Sequence, residues 1–258
     1  MNSLKNKVII VTGGTSGMGA ASSRLFAELG ASVVAASIQR EEGVALEAEI
    51  QQAGGEGKFI YADVSDEESV KRMISQTVEA YGRLDGVYCN AGVWEKGLVT
   101  DFNDRIWNKV MGVNVKGALW LAKHSIPVME KNEAGGVFLT TTSVAAQIAF
   151  PAHALYCASK AALEALVRSL AVDHPGKIRS VGISPGTIET PMLAATCEGW
   201  DRPVEELYEE VAKKIPSRRL GQPEDIARTA AFLMSDAAAY INGTVIVLDG
   251  GTGPLPPW

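Results

Sequence analysis

The stretch Lys7-Val-Ile-Ile-Val-Thr-Gly-Gly-Thr-Ser-Gly-Met-Gly19 decides the fold. Its first five residues form a short apolar run rich in β-branched side chains, the pattern of a strand buried on both faces as in a parallel sheet. A glycine-rich turn follows directly and opens a helical pattern through Ala20, Leu25, Phe26 and Leu29. Glycine permits positive φ and close backbone approach, and a helix N-terminus offers free N–H groups at the positive end of its dipole. The segment therefore reads as a cradle for the pyrophosphate of a dinucleotide. Its glycine spacing is not the general G-x-G-x-x-G, and it carries no Walker lysine.

Outward from this turn, strand and helix alternate. Ala31–Ser37 is a second apolar strand, and a charged helix runs from Arg40 to about Ala53. A third strand, Lys58–Ala62, ends in Asp63-Val64, and Asp66 is placed to cap a helix reaching Tyr81. Asp85–Cys89 is the fourth strand, ending in Asn90-Ala91-Gly92, and a long helical stretch from about Asn103 to Met129 carries Asn114 among apolar residues. Further strands are expected over Val137–Leu139 with its end near Ser143, over Ile178–Ser184 and over Thr244–Leu248. A last helix runs from Pro223 to Met234. This pattern predicts one α/β domain over 1–258, a Rossmann-type, doubly wound, mainly parallel seven-stranded sheet with helices on both faces. Ligands of such sheets lie outside the carboxyl ends of the strands, so Gly13, Ser37, Asp63 and Asn90 converge on one rim.

A second stretch, Ser143–Lys160, reads SVAAQIAFPAHALYCASK. On a helix, Tyr156 and Lys160 share a face one turn apart. A phenol titrates near ~10, and a positive charge within about 4–6 Å lowers that value, so the pair is suited to exchanging a proton with an alcohol or ketone oxygen. The Ser143 hydroxyl could hold the same oxygen from another side. Gly182-Ile-Ser-Pro-Gly186 fits the G-x-S-x-G elbow of hydrolases, but Pro185 lacks the N–H that such a site needs for its oxyanion hole.

The bulk numbers exclude other classes. The 258 residues are 47% hydrophobic and 21% charged, as in ordinary globular proteins. A net charge of −6 without a basic block offers no footprint for nucleic acid or an anionic membrane. No signal-peptide core or membrane-length apolar run is present, and Cys89, Cys157 and Cys197 are odd in number, so a cytoplasmic location is expected. His124, His153 and His174 share no ligand spacing, and no metal is expected.

Together these residues resemble the short-chain dehydrogenase/reductase family in its classical branch, from Lys7 to Gly251. Thr12, Gly13, Gly17 and Gly19 match its T-G-x-x-x-G-x-G turn, Asn90-Ala91-Gly92 its N-A-G, and Pro185-Gly186 its P-G. Asn114, Ser143, Tyr156 and Lys160 match its four catalytic positions. The resemblance implies that Tyr156 is the general acid/base and that Ser143 holds the substrate oxygen. Lys160 would lower the tyrosine pKa and bind the nicotinamide ribose, and Asn114 would anchor a proton-relaying water. Cofactor contacts are implied at Gly13, Thr15, Ser16, Gly17 and Met18, at Ser37 and Arg40, at Asp63 and Val64, at Asn90, Ala91 and Gly92, and at Pro185, Gly186, Ile188 and Thr190. The implied reaction is hydride transfer between a nicotinamide and a secondary alcohol or ketone.

Ser37 stands where NAD-specific relatives carry an aspartate, and Arg40 could meet a 2′-phosphate, which leans towards NADP(H) over NAD(H). Ile38 and Ser16, however, replace basic residues frequent in NADP-specific relatives. Trp94, Phe150, His153, Met192 and Trp200 are expected, with Ser143, around an apolar substrate pocket. Residues 187–215 are expected as a substrate lid and 252–258 as an extended proline-rich tail. The family resemblance also implies a homotetramer. Two alternatives remain open: a 3-oxoacyl-[acyl-carrier-protein] reductase, and a dinucleotide-sensing protein without turnover.

Overall fold

The computed structural model describes residues 3–197 and 201–253. All five residues of the first strand, β1 (Val8–Thr12), are buried. Their alternation feeds two cores: Ile9 and Val11 pack into one, with Phe26, Val33, Leu139 and Ile226, while Val8 and Ile10 pack into the other, with Val34, Met73, Leu121 and Phe138. A strand buried on both faces needs helices on both faces, and the chain supplies them in sequence order.

The helix α1 (Gly17–Glu28) leads to β2 (Ser32–Ser37), α2 (Arg40–Gln52) to β3 (Glu56–Tyr61), and α3 (Glu67–Tyr81) to β4 (Gly86–Cys89). Then follow α4 (Asp104–Met111), α5 (Gly117–Met129), β5 (Gly136–Thr141), α6 (Ala154–Asp173) and β6 (Ile178–Pro185). The chain continues through α7 (Pro191–Thr196), α8 (Val204–Lys214) and α9 (Pro223–Met234) to β7 (Thr244–Leu248). The seven strands are all parallel, in the order β3-β2-β1-β4-β5-β6-β7. Val11 pairs with Ala35 of β2 on one side and Tyr88 of β4 on the other. The strand order reverses between β1 and β4, which opens the ligand crevice at their carboxyl ends.

Local signals fix several boundaries as the sequence predicts. The Asp66 carboxylate accepts from the Glu68 N–H at 3.1 Å, and Gly82 closes α3 at φ 74°. Two features differ. The helical stretch expected over Asn103–Met129 is broken by a π-helical turn at Gly112–Lys116, which carries Asn114. A Cβ at Gly117, just after that turn, would lie 3.0 Å from the Val64 carbonyl oxygen, so close packing of backbones sets where the helix resumes. β5 stops at Thr141, and Ser143 caps a separate single turn at Val144–Ala146, accepting from the Ala145 N–H at 3.1 Å. The 187–215 stretch, expected as a lid, holds two helices, α7 and α8.

β1 and β4 are locked at the crevice by one side chain. The buried Thr12 hydroxyl accepts from the N–H groups of Asn90 at 3.1 Å and Ala91 at 3.2 Å. Thr12→Val, nearly equal in volume, leaves both donors unpaired and is expected to cost about 1–3 kcal/mol. Urea unfolding measures this; a loss under about 0.3 kcal/mol would show that the bracket contributes nothing.

Candidate active site

The turn after β1 is shaped by backbone geometry that only glycine supplies. Gly13 adopts φ 60° and Gly17 φ 48°. A Cβ at Gly13 would lie 3.0 Å from the Ala91 Cα, so the turn rests directly on the end of β4. Ser16 precedes α1 without capping it by its side chain, which leaves first-turn N–H groups for a ligand. The Asn90 amide donates to the carbonyls of Thr12 at 3.1 Å and Gly13 at 3.4 Å, holding the turn from below. Across the crevice, a Cβ on Gly17 would sit 3.3 Å from Thr190 Cγ2, so the loop after β6 closes over the turn. In that loop Gly186 N–H donates to the Leu248 carbonyl at 2.9 Å, and buried Ile188 bridges to Gly221. These shapes suit a dinucleotide.

At the ends of β2 and β3 the polar groups are partly committed. The Ser37 hydroxyl accepts from Gln39 N–H at 3.1 Å, and Thr15 donates to the Gln39 side chain at 3.1 Å. The Arg40 guanidinium lies over the Tyr61 ring, 3.9 Å from its centroid. Asp63 Oδ1 accepts from both the backbone and the hydroxyl of Ser65, at 2.9 and 2.7 Å, beside buried Val64.

The four residues of the tetrad pattern do converge, through partners that sequence reading missed. Lys160, only 3% exposed, donates to the Thr141 carbonyl at 2.9 Å, while the Thr141 hydroxyl meets Asn90 Oδ1 at 3.2 Å and the buried Tyr88 hydroxyl at 3.0 Å. Asn114 commits both amide protons and one lone pair: Oδ1 accepts from Val93 N–H at 2.8 Å, and Nδ2 donates to the Val93 carbonyl at 2.9 Å and Ser159 Oγ at 3.0 Å. Ser159 in turn donates to the Tyr156 carbonyl at 2.7 Å. A Cβ at Gly92 would lie 3.5 Å from both Asn114 Oδ1 and Lys160 Nζ, which brings the β4 end, the π turn and α6 to one point. The sequence signal for Ser159 is its place three residues after Tyr156. Thr141 has none, because Thr140-Thr-Thr142 are equivalent until β5 fixes which one faces Asn90.

The electrostatics correct one expectation. Lys160 Nζ lies 5.6 Å from the Tyr156 ring centroid, yet the phenol sits above its ordinary pKa, because burial raises it more than the facing Ser143 hydroxyl lowers it. Lys160 is itself brought down to about 8 by desolvation. Here burial acts on both partners, and the neighbouring cation does not dominate. Cys89, beneath them, is pushed up to about 12 by burial and is no nucleophile at neutral pH.

Trp94, Phe150 and His153 also come together. The Trp94 and His153 rings stack with centroids 5.1 Å apart, and Phe150 meets His153 edge-on at 6.4 Å. Met192 lies in the first turn of α7, on the Thr190 side of the rim. Trp200, and the tail from Pro254, lie outside the described residues.

A crevice shaped for a dinucleotide, beside the buried Lys160 and the half-buried Ser143 and Tyr156, is the arrangement of a nicotinamide-dependent oxidoreductase. The family profile described as "Enoyl-(Acyl carrier protein) reductase" matches residues 13–253. An uncharacterized oxidoreductase of Thermotoga maritima is 37% identical over 96% of this chain and 98% of its own length. The 3-oxoacyl-[acyl-carrier-protein] reductase of the same organism is 33% identical (96% and 98% covered). A 2,5-dichloro-2,5-cyclohexadiene-1,4-diol dehydrogenase of Sphingobium indicum is 35% identical (97% and 98% covered). Among solved structures, a 7α-hydroxysteroid dehydrogenase complexed with NADH and 7-oxo glycochenodeoxycholic acid superposes with a TM-score of 0.90 at 34% identity, covering 97% of this chain and 95% of that one. The chain belongs to the short-chain dehydrogenase/reductase family. It is an NAD(P)-dependent oxidoreductase of alcohols and ketones.

The desolvated Lys160 makes stability depend on pH. Its folded pKa of about 8 lies below the unfolded value, so between the two the unfolded chain binds more protons and stability rises with pH. The unfolding free energy of the parent minus that of Lys160→Met is expected to grow by about 2–3 kcal/mol from pH 7.5 to 10.5. A difference that stays flat over this range would mean that the ammonium is not desolvated.

Proposed function

We propose that the chain interconverts a secondary alcohol and its ketone with Tyr156 as general acid/base, Ser143 holding the reacting oxygen, and Lys160 and Asn114 organising the pair. The observation that carries this reading is a pair of hydrogen-bonded chains, one running from Asn90 through Thr141 to Lys160 and one from Asn114 through Ser159 to the Tyr156 carbonyl, which fix α6 against the end of β4 and the π turn. Bound nicotinamide would supply or accept the hydride. The Tyr156 phenol, protonated at neutral pH, is placed to donate to a developing alkoxide, and Ser143 donates to the same oxygen. In the oxidative direction the phenol must first lose its proton, so alkaline pH favours oxidation. The Asn114 amide holds Val93 and Ser159 in place, and a proton-relaying water would use the remaining lone pair of Oδ1 or other atoms of the π turn.

The glycine turn with Thr15, Ser16 and Met18 would take the pyrophosphate, Asp63 and Val64 the adenine, and Pro185, Gly186, Ile188 and Thr190 the nicotinamide side. NADP(H) is favoured over NAD(H): no carboxylate stands at Ser37 to repel a 2′-phosphate, and Arg40 rests on Tyr61 at the end of the same crevice. Residues 187–215, with α7 and α8, form the substrate lid in this reading. The unpaired thiols Cys89, Cys157 and Cys197 suit a cytoplasmic enzyme, and no described helix is long and apolar enough to cross a membrane. Exposed Trp107 and Leu119 beside α6, and Val247 on β7, suit assembly into a homotetramer.

A carrier-protein substrate is the second reading, favoured by the family description and by the Thermotoga reductase. The exposed glutamates 205, 206, 209 and 210 on α8 weigh against docking an acidic partner there. A binding assay with acyl-carrier protein separates the two.

Tyr156→Phe is expected to lower kcat by about 10²–10⁴-fold, while the dinucleotide Kd, followed by tryptophan quenching, stays within about threefold of the parent. Retained turnover would refute the assignment of Tyr156. Arg40→Ala should weaken NADPH binding by about tenfold or more and leave NADH unchanged. Equal effects on both would remove the phosphate clamp.

A further inference from the structure

His153 immediately precedes α6, one turn ahead of Tyr156, and its ring is fixed on three sides. Trp94 stacks on one face at 5.1 Å with rings 14° apart, and Phe150 meets it edge-on. Nδ1 lies 2.6 Å from the Pro151 carbonyl oxygen. A carbonyl only accepts, so Nδ1 carries the proton. The neutral ring then offers Nε2 as a bare acceptor, and among the described residues Nε2 has no hydrogen-bond partner. Trp94 is itself held in place, since both backbone groups of the preceding Val93 are bonded to the Asn114 amide. An imidazole held in one tautomer and braced by aromatic rings, one turn ahead of Tyr156, fits a substrate atom that donates.

We propose that His153 is a specificity-determining residue which accepts a hydrogen bond from a second hydroxyl on the substrate, so that the enzyme prefers vicinal diols and α-hydroxyketones over simple alcohols and ketones. This rests on the oxidoreductase reading of Tyr156 given above. In the oxidative direction one carbinol carbon loses hydride to the oxidised nicotinamide, its oxygen loses a proton to the phenolate of Tyr156, and the second hydroxyl passes unchanged into the hydroxyketone. A carboxylate or a second carbonyl has no proton to give and gains nothing from Nε2. The trade is selective because the ring, held in one orientation, offers Nε2 to a hydroxyl and to no group that lacks a proton to give.

The test compares matched pairs, 2,3-butanediol with 2-butanol and trans-1,2-cyclohexanediol with cyclohexanol, by kcat/KM with saturating oxidised dinucleotide. The parent is expected to favour the diol of each pair by about tenfold. In His153→Asn the amide N–H can still donate to the Pro151 carbonyl and Nε2 is gone; in His153→Phe the stacked ring remains and both nitrogens are gone. In both variants the diol-to-alcohol ratio is expected to fall to about one, with the loss appearing mainly in the diol KM. A ratio near one in the parent, or one unchanged in both variants, would overturn the role of His153 and leave the proposed reaction standing. If the parent binds dinucleotide yet turns over no member of either pair, the secondary-alcohol reading falls and the inference falls with it.

Discussion

The contact on which the site depends is the polar bracket between the ends of β1 and β4. Parallel strands that diverge into opposite crossovers leave a gap at their carboxyl ends, and backbone groups facing such a gap need partners. Thr12 and Asn90 supply them from side chains, so the glycine turn is held at a fixed height over the sheet. The same Asn90 turns its carbonyl oxygen to Thr141, whose own backbone carbonyl receives Lys160. The dinucleotide cradle and the proton-handling groups are thereby parts of one hydrogen-bonded rim, and a displacement of either must be felt by the other.

Burial does the chemical tuning. Lys160 and Tyr156 sit where water is largely excluded, which disfavours charge on both: the ammonium comes down and the phenol goes up. The spacing of Tyr156 and Lys160 in sequence suggests simple electrostatic activation of one by the other. In the folded chain desolvation of the phenolate raises the phenol by more than the facing Ser143 hydroxyl lowers it. The protonated phenol is the form that ketone reduction needs, and the phenolate the form that alcohol oxidation needs.

Much of this was legible before any coordinates. Short apolar runs ending at Gly13, Ser37, Asp63 and Asn90 place four rim positions from the sequence, and the Asp66 and Pro223 helix starts follow from cap chemistry. What was not legible depends on register and on third partners. The π turn at Gly112–Lys116 leaves the apolar period of the helix nearly intact, so it has no signature in the pattern around Asn114. Thr141 and Ser159 are ordinary hydroxyls until the fold chooses their neighbours. The parking of Arg40 on Tyr61 likewise requires β3 to end beside β2, a pairing between residues distant in sequence. Trp94, Phe150 and His153 come together in the fold, and their stacking order and the tautomer of His153 are properties of the folded loop alone.

The most direct measurement uses reduced dinucleotide carrying deuterium at C4 of the nicotinamide, each C4 epimer in turn, with an α-hydroxyketone in ordinary water. Hydride transfer at this site requires that the label from one epimer appear at the newly formed carbinol carbon, undiluted by solvent protons, with a primary isotope effect on the single-turnover rate. Product without the label from either epimer, or dinucleotide that binds tightly and is never oxidised, would contradict an oxidoreductase built around Tyr156.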